Sequence, residues 1–161
     1  MKCITKSVGL DVSRDKIAAA VAERGTGAAH YLGIYPNTLE AMRKLLSRLG
    51  RPEELHVCYE AGVTGYGLAR FMNGLGISCL VVAPSRIPLV PGPRVKTDRK
   101  DAVMLAERLR VGDLVSVWVP DEADEALRDL VRARKARMED FKRAKQRVNM
   151  FLMRHGITKP E

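Results

Sequence analysis

What this chain does without narrows its class quickly. No apolar run approaches the roughly 18 residues that a membrane-crossing helix needs. The opening Met1-Lys2-Cys3-Ile4 does not lead into a secretory leader, because Lys6, Asp11, Arg14, Asp15 and Lys16 interrupt any hydrophobic stretch. A cytoplasmic protein with no membrane partner is expected. Cysteine is scarce and scattered, at positions 3, 58 and 79, with no Cys-x-x-Cys. That spacing supports neither a disulfide framework nor a zinc site, and reduced thiols buried in apolar runs are the simpler reading. His30, His56 and His155 stand apart from one another, and an isolated histidine is more often structural than a ligand. Gly25-Thr26-Gly27 lacks the third glycine and the following helix that a nucleotide-cradling loop requires.

Acidic residues are in deficit as well. Nineteen Asp and Glu face twenty-eight Lys and Arg, a formal charge of +9, which points to a polyanionic partner, most often nucleic acid. The remainder is ordinary for a folded protein, with 46% hydrophobic and 29% charged residues in 161 positions. That length allows one domain with a real core and a helical appendage.

Residues 7–12 and 16–23 read as strands separated by the polar break Ser13-Arg14-Asp15, and residues 29–35 supply a third after the Gly25 turn. Asn37-Thr38-Leu39-Glu40 opens a helix, with Asn37 at the N-cap and Glu40 at N3; Leu39, Met42, Leu46 and Leu49 form its apolar stripe. A short buried strand, 55–59, delivers Glu60 at its carboxyl end. A helix from about Thr64 to Asn73 and a strand from Ile77 to Ala83 complete a βαβ unit with parallel strands. Four of the eight prolines fall between Pro84 and Pro93, so that stretch is an exposed connection. A helix running to about Val111 and closed by Gly112 follows, then an extended piece over 113–119 that contains Trp118.

Between Glu122 and His155 there is neither proline nor glycine. Leu127, Val131, Met138, Phe141, Val148 and Leu152 recur at spacings near 3 and 4, with Arg134 and Lys145 in the two missing positions. Such a helix spans roughly 50 Å at about 1.5 Å per residue, too long to fold back into a small core. Residues 127–155 hold ten Lys or Arg against three acids. A solvated face, nucleic-acid contact and coiled-coil pairing all fit this pattern. The expected organisation is a domain over 1–119 and a basic helical segment over 120–161.

The stretch Lys96-Thr97-Asp98-Arg99-Lys100-Asp101-Ala102 places two carboxylates three residues apart among cations. If a helix opens at Thr97 or Asp98, both acids share a face, and its continuation through Ala102, Leu105 and Leu109 is apolar. The acids then project toward the body of the fold as half of a metal site. A plainer role also fits: Asp98 caps the helix and Asp101 complements its dipole.

Three meandering strands, a helix, then strand, helix and strand is the order of a ribonuclease-H-like mixed α/β sheet. In that order the first and fourth strands are neighbours, so Asp11 and Glu60 come together at strand ends, beside the Asp98 helix. Four carboxylates, Asp11, Glu60, Asp98 and Asp101, suit hard divalent cations such as Mg²⁺. Phosphodiester transfer uses two such ions about 4 Å apart. Lys96, Arg99 and Lys100 are placed to hold a phosphate backbone.

Gly9-Leu10-Asp11-Val12-Ser13, Tyr59-Glu60-Ala61-Gly62 with Gly65-Tyr66-Gly67, and Lys96-Thr97-Asp98-x-x-Asp101-Ala102 together resemble the three motifs of the DEDD-type transposases of bacterial insertion sequences, the insertion sequence one-ten family. Leu127-Arg128-Asp129-Leu130-Val131-Arg132-x-Arg134 resembles the helix that follows them. The resemblance implies a RuvC-like nuclease domain with Asp11, Glu60, Asp98 and Asp101 as catalytic ligands of Mg²⁺ or Mn²⁺. It also implies a coiled-coil segment used in assembly to a dimer or higher oligomer, DNA as substrate and a structured guide RNA as partner. Arg128, Arg132, Arg134, Lys135, Arg137, Lys142, Arg143, Lys145 and Arg147 are the expected nucleic-acid contacts on the long helix. The family's serine nucleophile belongs to a further C-terminal domain, so this chain is expected to be an incomplete fragment. A stand-alone Holliday-junction resolvase and a non-catalytic nucleic-acid-binding and oligomerisation module are the alternative readings.

Overall fold

The computed structural model describes residues 4–62, 64–87 and 97–157. Three strands open the chain: β1 (Lys6–Val12), β2 (Lys16–Glu23) and β3 (His30–Pro36). The β1–β2 turn is closed by Ser13, whose N–H and hydroxyl both donate to the Lys16 carbonyl, at 2.9 and 2.8 Å. Helix α1 (Leu39–Leu49), strand β4 (Leu55–Glu60), helix α2 (Gly67–Gly74) and strand β5 (Ser78–Val82) follow, then helices α3 (Asp98–Val111) and α4 (Glu122–Arg154). The chain divides into two compact units, Met1–Val119 and Pro120–Glu161.

In the first unit the sheet order is β3-β2-β1-β4-β5. β1 pairs antiparallel with β2 and parallel with β4, and β4 pairs parallel with β5. This is the ribonuclease-H-like order that the element sequence calls for. Side chains alternate across each strand, and the two faces are covered differently. Val8 and Leu10 of β1, Ile17 of β2 and Tyr59 of β4 pack with Met42 and Leu46 of α1 and Met72 of α2. Each such side chain contributes about 1.5–3 kcal/mol relative to an exposed one. On the opposite face Ala18, Ala20 and Ala22 of β2 lie against Ala102 and Ala106 of α3. Alanine is a poor strand former; here the small side chains let a helix approach closely, and tertiary packing overrides propensity.

Local chemistry departs from expectation at two helix starts. The cap of α1 is Thr38, whose hydroxyl accepts from the Ala41 N–H at 3.2 Å. Asn37 instead donates from Nδ2 to the carbonyls of Ser13 and Arg14, at 2.7 and 3.2 Å, and so pins the β1–β2 turn. Glu40 lies in the first turn of α1 and pairs with Lys44 at 2.6 Å. α2 begins at Gly67, three residues later than the apolar pattern suggests. Of the proline-rich connection, Pro84–Arg86 form a single 3₁₀ turn, and Pro88, Pro91 and Pro93 lie outside the described residues. The extended piece after α3 joins the sheet edge, with the Val117 N–H donating to the Val81 carbonyl at 2.8 Å.

The second unit is one helix of 33 residues, capped by Asp121, which accepts from the Asp124 N–H at 2.8 Å. None of the helix residues Glu122–Arg154 is buried. Of the stripe read from the sequence, Leu127, Val131, Met138, Phe141 and Val148 are exposed and Leu152 is half-buried.

Candidate metal centre

Helix α3 meets the sheet at position 9. A Cβ added to Gly9 would stand 2.3 Å from the Ala102 carbonyl oxygen and 2.4 Å from the Ala106 nitrogen, so glycine is what lets the helix backbone lie directly on β1. Two contacts set the helix direction. At its start Asp98 accepts from Lys16, the first residue of β2; at its end Arg110 donates to the carbonyls of Glu23 and Gly27, at and beyond the last residue of β2. Because β2 runs antiparallel to β1, the first turn of α3 lies over the end of β1 that carries Asp11.

The acids of the two strands reach the same place. Strand alternation puts Asp11 on the same face as Gly9, which is the α3 face. On β4, Cys58 donates to the Leu105 carbonyl of α3 at 3.5 Å, so Glu60, two residues on, also faces the helix. Leu10 pairs with Tyr59 in the parallel register of β1 and β4. The next residues along, Asp11 and Glu60, are therefore neighbours at the carboxyl ends of adjacent strands, where ligand sites form in α/β sheets.

Thr97 caps α3, accepting from the Lys100 N–H at 3.3 Å. The capping role weighed for Asp98 therefore belongs to its neighbour. Asp98 and Asp101 occupy the first turn, where negative charge complements the helix dipole. Ala102, Leu105 and Leu109 are buried as the apolar stripe requires. Asp98 is half-buried, with its side chain 46% exposed, and accepts from the Lys16 ammonium of β2 at 2.6 Å.

Lys16 is the member of this group that the motifs did not reveal. It lies on the same face of β2 as Ala18 and Ala20, which becomes informative only once α3 is known to cover that face. Its hydrogen bond and charge hold the Asp98 carboxyl below the usual carboxylate range. In return, Asp98 first and Asp11 in smaller measure hold the Lys16 ammonium above its ordinary value. Among the described residues, no three carboxylate, thiol or imidazole side chains are gathered closely enough to share one ion. The donor chemistry nonetheless fits a hard cation: all four acids offer oxygen alone, from one end and one side of the sheet.

The expected phosphate contacts are placed as follows. Lys96 lies outside the described residues. The Arg99 guanidinium lies over the Tyr31 ring, 5.4 Å from its centroid, and Lys100 is exposed on the first turn of α3. On α4, Arg132, Arg134, Lys135, Arg137, Lys142, Arg143, Lys145 and Arg147 are exposed and Arg128 is half-buried. Asp129 pairs with Arg132, and Asp140 with Arg137 and Arg143.

A ribonuclease-H-like domain with acids at the carboxyl ends of β1 and β4, followed by a long basic helix, is the architecture these residues define. The family model for IS110-type DEDD proteins, described as a transposase, matches residues 8–156. The chain belongs to this insertion-sequence transposase family. It is 48% identical over 155 residues to the Sinorhizobium fredii protein y4qE, which bears a transposase name, and that match covers 95% of this chain and 40% of y4qE. It is 36% identical over 153 residues to the transposase for insertion sequence element IS1533 of Leptospira borgpetersenii, covering 93% of this chain and 44% of that one. The chain thus spans less than half the length of these relatives. The crystal structure of the large terminase nuclease from thermophilic phage G20c aligns at a TM-score of 0.38 with 18% identity, over 68% of this chain and 56% of that one, a likeness too loose to add to the strand order. Among the described residues no helix is long and apolar enough to cross a membrane.

Proposed function

We propose that the first unit is the metal-dependent nuclease domain of a DNA transposase, and that the whole protein cleaves and exchanges DNA strands. The observation that supports this most is the convergence of β1, β4 and the first turn of α3 at one end of the sheet, with Asp11, Glu60, Asp98 and Asp101 as the proposed ligands of Mg²⁺ or Mn²⁺. The chemistry a divalent cation supplies at such a site is activation of the attacking oxygen and stabilisation of the leaving oxygen of a phosphodiester.

The chain's own residues divide the remaining work. Strand pairing makes Asp11 and Glu60 neighbours, and the seating of α3 on Gly9 is proposed to direct Asp98 and Asp101 toward them. Drawn together around a metal, four like charges would raise one another's proton affinity unless cations offset them, and Lys16 is one cation the protein itself provides, paired with Asp98. Arg99, Lys100 and Lys96 are proposed to hold the scissile strand. The basic face of α4 is proposed to contact nucleic acid, including a structured guide RNA, and its apolar stripe to pair with a second copy. Strand exchange needs the serine that the family's further domain supplies.

The test is calorimetric titration of Mg²⁺ and Mn²⁺ into the wild type and Asp11→Asn, with strand cleavage assayed in the full-length protein. Saturable binding lost in the variant supports the site. If Asp98→Ala and Asp101→Ala lower stability alone while metal binding is unchanged, the acids are structural and the first unit is a binding module.

A further inference from the structure

The far end of α3 borders a cleft whose charged lining residues are both basic. Strand alternation puts Ser7 and His56, near the beginnings of β1 and β4, on the α3 face. With Ile4, Thr5, Arg24, Leu109 and Arg110 they line a cleft of about 280 Å³. The lining residues are two arginines, a serine, a threonine and a histidine beside the apolar Ile4 and Leu109, with no acidic residue among them. Arg110 is anchored through its guanidinium and Arg24 through its backbone. Arg110 donates from Nη1 to the carbonyls of Glu23 and Gly27, and the Arg24 backbone N–H donates to the Thr5 carbonyl at 2.8 Å. A guanidinium carries five N–H donors in a planar fork that suits tetrahedral oxyanions. Burial holds the His56 imidazole below its ordinary proton affinity, so in its neutral form it offers one donor and one acceptor.

We propose that this cleft binds a phosphate group, and that its ligand is the backbone of the DNA strand on which the acid cluster acts. The second half of that statement rests on the nuclease reading. The two sites share one face and one helix, and the 14 residues of α3 set them roughly 20 Å apart at about 1.5 Å per residue. At about 3.4 Å per nucleotide along one strand of a duplex, that is roughly six nucleotides. A phosphate held there fixes the register of the strand without reading its sequence.

The experiment is residue-resolved NMR of the full 161-residue chain without divalent metal, titrated with inorganic phosphate and then with a short DNA duplex at matched chloride concentration. Residue resolution separates the cleft from the basic α4. Saturable shifts at Ser7, His56 and Arg24 are expected with both probes. Arg24→Gln should weaken them roughly threefold to fivefold, as loss of one ion pair at an exposed side chain does. Arg110→Lys, which keeps the charge and loses the fork, should weaken them less. Absence of shifts, or shifts indifferent to Arg24→Gln, overturns the site. Shifts with inorganic phosphate but none with the duplex overturn the strand assignment. The same titration in Asp11→Asn should leave the cleft response intact, so failure of the acid cluster and failure of the cleft are told apart.

Discussion

The Lys16 ammonium donates to the Asp98 carboxylate at 2.6 Å, joining residues 82 positions apart. This contact ties the start of β2 to the start of α3, and so brings an acid of the helix to the end of the sheet that carries Asp11. It also occupies an oxygen that the proposed cation would use. Lys16→Met is therefore expected to bind Mn²⁺ more tightly than the wild type, by roughly threefold for the loss of one competing charge in a solvated setting. Calorimetry checks this; weaker binding in the variant would mean that Lys16 organises the acids rather than competing for them.

The same pair has a defined pH window. Asp98 is held below its ordinary 3.8, so its contribution is present above that pH and lost as pH falls through the lowered value. Lys16 is held above its ordinary 10.5, so its contribution is present below that pH and lost as pH rises through the raised value. Lys16→Met should therefore change thermal stability equally at pH 6 and pH 8, ordinary buffer values chosen inside the window. A difference between the two would place another titrating group in the contact.

Gly9→Ala tests the seating of α3. The added Cβ meets helix backbone at 2.3 and 2.4 Å, and backbone cannot rotate away as a side chain can. A loss of about 3 kcal/mol, the upper end of overpacking costs, is expected in chemical denaturation. Less than about 1 kcal/mol would show that α3 is not clamped to β1.

Much of this arrangement is readable from the amino acids, for local reasons. Alternation and turn residues mark β1, β2 and β3; the glycines at 74 and 76 mark the end of α2. Gly112, at φ +75°, ends α3 as its position in the sequence suggests. Asp11 and Glu60 are legible because both terminate apolar runs that become adjacent strands. What is not legible is long-range or degenerate. Asn37 and Thr38 are equally good caps, and the choice depends on the β1–β2 turn that Asn37 reaches. Thr97 and Asp98 pose the same ambiguity, settled by which of them reaches the Lys100 N–H. Lys16 reads as an ordinary strand-edge cation until the helix across from it is placed.

The thiols of β4 and β5 give a pH prediction. Burial pushes the Cys79 thiol up to about 12 from an ordinary 9.0, and the Cys58 thiol is raised as well. A raised folded-state value means that the contribution is complete below pH 9.0 and lost as pH climbs toward 12. A thiol reagent at pH 8 should modify neither residue in the folded protein and both after denaturation. Rapid native labelling of Cys58 would contradict its burial between β4 and α3.

For α4 the expectation is salt dependence. Each phosphate neutralised contributes about 0.9 to the slope of log affinity against log salt on duplex DNA. Replacing Arg134, Lys135, Lys142 and Lys145 by Gln should flatten that slope, as read by fluorescence anisotropy across roughly 50 to 200 mM salt. An unchanged slope would assign this face of the helix to packing.

The most direct test of the whole account is Mn²⁺ titration of the chain and of Asp11→Asn, followed through the paramagnetic broadening of signals from Glu60 and Asp101. Broadening of both residues in the wild type and its loss in the variant is the predicted result. Broadening confined to α4, or persisting unchanged in Asp11→Asn, would contradict a metal centre built from β1, β4 and α3.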